Sequence, residues 1–476
     1  MTLTYTDYLA LSPLLIVLFG ALCLLVVEVF SKQAAKLSSS LCIGALLIAL
    51  YAAFSAPTST HALITPWLYF DGFALFFTTL FLLTGLAVSL MASSFFSRFE
   101  ASRGEFFFFI LCSLFGLMLI CAAKNFLILF LGLEILSISL YILTGYMKHW
   151  TLAHEASFKY FILGSVSTAM LLFGIALVYL AIGTTNFEEQ AAHVAKISGI
   201  DWTLCMSGYV LISASLLFKA ACVPFHIWAP DVYAAASTPV TCFMAVATKA
   251  AAFAALMRLF LLCLPKLDPA WQNTMAFLAY PTLLWANFVA MQTTELRRFF
   301  AWSGISHAGF LLMALAASVP QSLESMLFYL VVYSIATLGA FACIALIDER
   351  SEGSSIHDLR GLFYSSPQLA CVLTLCLLTL GGIPPMIGFF AKFYILQAAY
   401  AAGLYGLVVV GLLTAILAAY YYLKIASVMF SEKMAEPKEA LTSKRTRLAM
   451  ATCGIALITL SFWPEPLMNA MGLLLR

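Results

Sequence analysis

The chain has 476 residues, 63% of them hydrophobic and only 10% charged, with a formal net charge of +2. An ordinary soluble domain carries about a quarter charged residues, so this composition excludes a soluble enzyme and describes a chain built for lipid. There is no basic patch for nucleic acid and no glycine-rich phosphate loop, and the twelve cysteines stand without a CxxC, which argues against disulfides, zinc and iron–sulfur clusters.

In chain order, apolar runs long enough to cross a bilayer recur from end to end. The first, MTLTYTDYLALSPLLIVLFGALCLLVV, lacks the basic start and small-residue cleavage pattern of a signal peptide and reads as a span. Cutting the runs at charged, Pro-rich and Gly-rich breaks predicts an all-α polytopic membrane protein of about fourteen transmembrane helices. They fall at roughly 8–30, 38–56, 70–94, 106–123, 125–146, 156–182, 204–224, 238–260, 272–292, 299–317, 323–346, 366–397, 402–429 and 448–472. Loops after odd-numbered spans hold fourteen Lys and Arg and the opposite loops five. By the positive-inside rule the former face the cytoplasm and both termini the periplasm. The loop 431–447, with Lys433, Lys438, Lys444, Arg445 and Arg447, reads as a topology signal.

Five lysines remain inside spans: Lys159, Lys219, Lys249, Lys392 and Lys424. A lysine at the centre of a membrane helix costs about 2.5–3.5 kcal/mol on insertion scales, so such residues face a protein interior or a water cavity unless they lie near a helix end. Lys424 is expected to snorkel to the cytoplasmic interface, and Lys159 lies near the cytoplasmic start of its span. Lys219, Lys249 and Lys392 lie deeper. The matching acid is Glu134, isolated in the middle of the fifth span; Glu28 and Asp71 read as interfacial.

Two spans carry breaks. Lys219 precedes Pro224 in span seven, and Gly381, Gly382, Pro384 and Pro385 precede Lys392 in span twelve. Proline removes a backbone donor, and freed backbone groups at membrane depth must face protein or water, so each break implies a small hydrated pocket beside a lysine. The two lie five spans apart, as in two inverted five-helix repeats, spans 4–8 and 9–13, each with a broken helix. The expected organisation is an N-terminal three-helix segment at 1–105, a first repeat at 106–262, a second at 263–430, and a basic loop with the last helix at 431–476.

Desolvation disfavours a buried ammonium and a nearby carboxylate favours it; at about 6 Å and an effective dielectric near 20 that attraction is about 2.8 kcal/mol. Lys219 beside Glu134 therefore reads as a switchable proton carrier. His307 in span ten and His226 in the first break are candidate relays, while His149, His154 and His193 read as loop residues.

LFLGLEILSISLYILTGY, EASFKYFILGSVSTAMLLFGIALVY, FKAACVPFHIWAPDVYAAASTPVTCFMAVATKAA, LRRFFAWSGISHAGFLL and LGGIPPMIGFFAKFYIL resemble, in this order, five motif regions of the antiporter-like membrane subunits of bacterial respiratory complex I, the NADH:quinone oxidoreductase. One sibling in that family continues into a long amphipathic C-terminal helix, and another has glutamate where this chain has Lys392; the chain shares neither feature. The resemblance implies proton translocation driven by quinone reduction elsewhere in the complex, in a bacterial inner membrane. Glu134 and Lys219 would form the charge pair of the first half-channel. Lys159 and Lys249 would be further buried lysines, Lys249 linking toward Lys392, the terminal carrier of the second half-channel; His307 would lie on the central axis. The partners implied are protons, the lipid bilayer and the other membrane subunits. NADH, FMN, iron–sulfur clusters and quinone would sit in those other subunits and no cofactor in this chain. The alternatives are a subunit of a multisubunit cation/proton antiporter and a structural spacer with relic charges.

Overall fold

Without water to satisfy them, backbone groups in lipid must bond within their own segment, and this chain answers with helices. The computed structural model describes residues 5–31, 34–57, 66–98, 104–194, 196–262, 269–348, 355–431 and 443–474. The loop residues Lys32, Arg103, Lys266, Arg350, Lys433 and Lys438 lie outside these. The chain runs through α1 (Tyr5–Phe30), α2 (Ala34–Ser55), α3 (Gly72–Arg98), α4 (Glu105–Ala122), α5 (Phe126–Thr144), α6 (Thr151–Ile182), α7 (Phe187–Val194) and α8 (Ile200–Lys219). It continues through α9 (Trp228–Ala235), α10 (Thr238–Phe243), a π-helical turn (Met244–Thr248), α11 (Lys249–Leu262), α12 (Pro269–Gln292), α13 (Leu296–Ala317) and α14 (Pro320–Ile347). The last helices are α15 (Leu362–Ser365), α16 (Pro367–Gly381), α17 (Ile387–Ala401), α18 (Tyr405–Met429), α19 (Lys444–Phe462) and α20 (Glu465–Leu474).

Among the described residues twelve helices are long and apolar enough to cross a membrane, or thirteen with the bent pair α19–α20. The shorter apolar helices α16 and α17 occupy the stretch expected as span twelve. The expectation of one unbroken last span, 448–472, is corrected: α19 and α20 meet at 87°. Pro464 stands in that break, where its ring and missing N–H end the helix. The sequence reading also missed the short helices α7 and α9, and His154 and His193, expected in loops, lie in α6 and α7.

The chain forms two compact units. The first comprises Met1–Ser89, Glu100–Ala220 and Ala247–Asp268, so it holds the N-terminal helices together with much of the expected first repeat. The second comprises Leu90–Phe99, Ala221–Val246 and Pro269–Arg476. In the first unit α4 packs on α5 and α6 on α8 at very short range. A Cβ at Gly116 would stand 2.7 Å from the Gly132 carbonyl, and one at Gly174 2.7 Å from the Gly208 carbonyl. Small residues allow such approach in lipid, where no hydrophobic effect pulls helices together. Asn125 starts α5, its side chain accepting from the Ile128 N–H at 2.9 Å, a standard end-cap. In the second unit α12, α13, α14, α16, α17 and α18 pack around a core in which α13 is buried almost throughout.

Candidate functional site

The first unit buries Lys219 and Lys249 in its interior and holds Glu134 half-buried. Lys219 is the last residue of α8 and is 4% exposed. Its Nζ donates to Ser137 Oγ at 2.8 Å and stands 5.4–5.8 Å from the ring centres of Tyr160, Tyr141 and Phe218. Those ring faces stabilise a cation where water is scarce. Ser137 follows Glu134 by three residues, hence on the same face of α5. Glu134 does not touch Lys219 directly: it accepts from the Thr168 hydroxyl on α6 at 2.7 Å, and its charge acts on Lys219 from there. Ser167 and Ser215 meet at 2.9 Å between α6 and α8, one turn before Lys219. Lys219 and Glu134 are thus each held by a hydroxyl of a neighbouring helix, Ser137 on α5 and Thr168 on α6, and hydroxyls can both donate and accept a proton.

Lys249 opens α11 directly after the π-helical turn and is 3% exposed. Such turns often mark sites where the backbone departs from regular helix for a purpose. Lys159 corrects the expectation of a further buried lysine. It lies on the outer face of α6 with 47% of its side chain exposed and pairs with Glu155 at 2.7 Å, one helical turn away. Lys424 is exposed, as a snorkelling residue should be.

In the second unit Lys392 sits in α17, just after the break. Gly382 adopts the left-handed conformation, φ +73°, that ends α16. A Cβ at Gly388 would stand 1.7 Å from the Thr379 carbonyl, so only glycine lets α17 return against the last turn of α16. That fold brings Lys392 Nζ to the Gly381 carbonyl at 2.8 Å, where it caps the negative end of α16, and within 5.4 Å of the Phe310 ring centre. A cavity of about 10 Å³ is lined by Lys392, His307, Tyr329, Tyr333 and Thr379. That is room for about one water. His307, 6% exposed, meets the Tyr329 hydroxyl at 2.5 Å through Nδ1 and the Tyr422 hydroxyl at 3.4 Å through Nε2, and Tyr422 bonds Ser303. His226, half-buried in the first break, packs on Trp302 at 5.4 Å.

Several polar residues escaped the sequence reading. Arg297, counted as a loop charge, is fully buried and donates to the Ala236 carbonyl at 2.5 Å. Asp348, 1% exposed, accepts from the Thr238 hydroxyl. Asn287 joins Ser306 at 2.7 Å and Tyr421 at 3.1 Å. Ser137 was within reach of sequence reasoning, by its spacing from Glu134; the rest needed to know which helix faces meet. Among the described residues no group of three or more His, Cys, Asp or Glu is placed to hold a metal ion.

The sequence profile of the family described as NADH:quinone oxidoreductase/Mrp antiporter, TM, matches residues 123–418. NADH-quinone oxidoreductase subunit N of Protochlamydia amoebophila is 50% identical over 474 residues, covering 99% of this chain and 98% of that protein. The chain belongs to the NADH-quinone oxidoreductase subunit N family. The relative from Parvibaculum lavamentivorans is 35% identical over 472 residues, 98% of this chain and 97% of that one. Among solved structures, a chain of respiratory complex I from Thermus thermophilus is 29% identical with a TM-score of 0.81, covering 96% of this chain and 99% of that one. A chain of the Mrp complex from Dietzia, 20% identical with a TM-score of 0.87 over 98% and 97%, shares the fold.

Proposed function

We propose that this chain is the proton-translocating membrane subunit of a bacterial NADH:quinone oxidoreductase, partnered by the other membrane subunits of that complex. It would move protons while redox chemistry proceeds elsewhere. The reading is supported by full-length likeness to subunit N proteins and by the two lysines buried beside helix breaks. In this reading Lys219, bonded to Ser137, carries a proton under the bias of Glu134, which is bonded to Thr168, and Lys249 is a further carrier of the first unit. In the second unit Lys392 exchanges a proton with His307 through one water, and the Tyr329 and Tyr422 hydroxyls orient the imidazole. His226 is a further relay at the first break. Lys159, half-exposed, serves at most a face covered by a neighbouring subunit.

Counting α16 and α17 as one interrupted crossing and α19–α20 as one bent crossing gives fourteen, with both termini in the periplasm of a bacterial inner membrane. The observation that carries the function is the burial of Lys219, 4% exposed and held by a hydroxyl three residues from a carboxylate, a costly arrangement with no packing benefit. In inverted membrane vesicles carrying Lys219→Ala, with assembly checked on a native gel, NADH-driven quinone reduction and the pH gradient should both fall at least tenfold. Wild-type values for both would leave the chain a spacer.

A further inference from the structure

The segment 67–71 pairs with the end of α4 and the turn into α5. The Tyr69 N–H donates to the Ala122 carbonyl at 2.7 Å and the Lys124 N–H to the Trp67 carbonyl at 3.1 Å. Against this segment sits Arg258, on α11 nine residues after Lys249, hence about 13.5 Å further along the helix. Its guanidinium makes a two-pronged pair with Asp71 at 2.5 and 2.7 Å and donates twice to the Cys121 carbonyl at 3.2 Å. It is stacked 4.4 and 4.5 Å from the ring centres of Tyr69 and Phe73, with 8% of the side chain exposed. Beside it Lys124 pairs with Glu188 at 2.9 Å, and the Tyr69 hydroxyl reaches Glu188 at 3.2 Å.

Between Lys249 and Arg258 the helix reads AAAFAALM, and every one of these residues is buried. The stretch has no hydroxyl, amide or titratable side chain to pass a proton. At its end stands a group that keeps its proton at any physiological pH and repels an approaching one, as fixed cations do in proton-excluding pores.

We propose that Arg258, pinned by Asp71, is an electrostatic seal that closes the far end of the Lys249 helix to protons. The three N-terminal helices would then serve coupling as well as anchorage, because they supply Tyr69, Asp71 and Phe73. Asp71 is suited to pinning a cation. Burial pushes its carboxyl up, but the hydrogen bonds and charge of Arg258 more than offset this and hold it below the usual carboxylate range. A depressed carboxyl is ionised above its unfolded value and loses the pair only as pH falls through its lower folded value. The pair therefore stays charged across pH 5–8.

The inference rests on reading Lys249 as a proton carrier, and its test needs no turnover. The purified complex is reconstituted in liposomes without NADH, a pH gradient is imposed, and its decay is followed. Arg258→Gln should speed the decay at least threefold, whereas Asp71→Asn, which keeps the cation, should leave it within 1.5-fold of wild type. A purely structural clasp predicts that the two variants behave alike, and equal decay for both overturns the seal. Should Arg258→Gln not assemble, Arg258→His is compared with Arg258→Lys: the imidazole, able to take and release a proton near neutral pH, should leak, and the ammonium should not. Equal permeability for that pair, or failure of all the Arg258 variants to assemble, assigns Arg258 to folding and overturns the proposal. Loss of NADH-driven pumping in Lys219→Ala with a tight membrane keeps the two readings separable.

Discussion

At the first break Lys219 reaches from the end of α8 to a hydroxyl on α5, while at the second Lys392 folds back onto the main-chain carbonyl of Gly381 in its own interrupted helix. The first lysine therefore depends on a side chain of another helix and also feels the charge of Glu134 on that helix. The second depends on backbone geometry and faces a histidine across a cavity the size of one water. Both solutions satisfy a buried ammonium, but they expose it to different controls. A shift of α5 relative to α8 changes the partner of Lys219, whereas only refolding the break changes that of Lys392. The same physical problem, a cation at membrane depth, thus has one solution tuned by helix packing and one tuned by glycine.

That contrast can be broken most severely at Gly388. Gly388→Ala places a methyl group 1.7 Å from the Thr379 carbonyl, which α17 can meet only by moving away from α16. Overpacking against backbone is expected to cost more than about 3 kcal/mol. Assembled complex on a native gel should drop below a tenth of wild type, while Gly381→Ala, whose nearest contact would be an ordinary 3.4 Å, should assemble normally. Near-normal assembly of Gly388→Ala would mean that the second break does not depend on this close approach.

The first arrangement is sharpened by Ser137→Ala, which removes the acceptor of Lys219 and leaves the helix intact. An unsatisfied buried donor costs about 1–3 kcal/mol, so NADH-driven proton transfer should fall about tenfold with unchanged assembly. No comparable side-chain deletion exists for Lys392, since its partner is a carbonyl of the main chain. An effect of Ser137→Ala smaller than twofold would show that Lys219 does not depend on this acceptor.

Lys159→Gln is the smallest change and the control for both. The Lys159–Glu155 pair is about half-exposed, and such pairs contribute about 0.3–0.5 kcal/mol. Quinone reduction should stay within twofold of wild type; a tenfold loss would place Lys159 on the proton route despite its exposure.

Much of this was legible in the residues. Apolar runs report themselves locally, because length and composition alone decide whether a helix can cross lipid, and Pro464 was equally visible although its 87° bend was not expected. Lys219, Lys249 and Lys392 stood out because a lysine in such a run carries a cost no local feature offsets. Lys159, near the start of its span, was expected to be buried only from the family resemblance, and it is half-exposed. Its helix is 32 residues long, and which of its faces turns inward is settled by α5 and α8, not by its own composition.

The sequence by itself determined the class of molecule, the family, and the two breaks with their lysines, since each follows from a cost that acts within one segment. Tertiary structure alone decided who answers each of these charges: Ser137 for Lys219, Gly381 for Lys392 and Asp71 for Arg258. These partners are 11 to 187 residues away in the chain. Their meeting depends on glycine-lined contacts that set how closely helices pack, and hydrogen bonds form only where that packing brings donor and acceptor within about 3 Å.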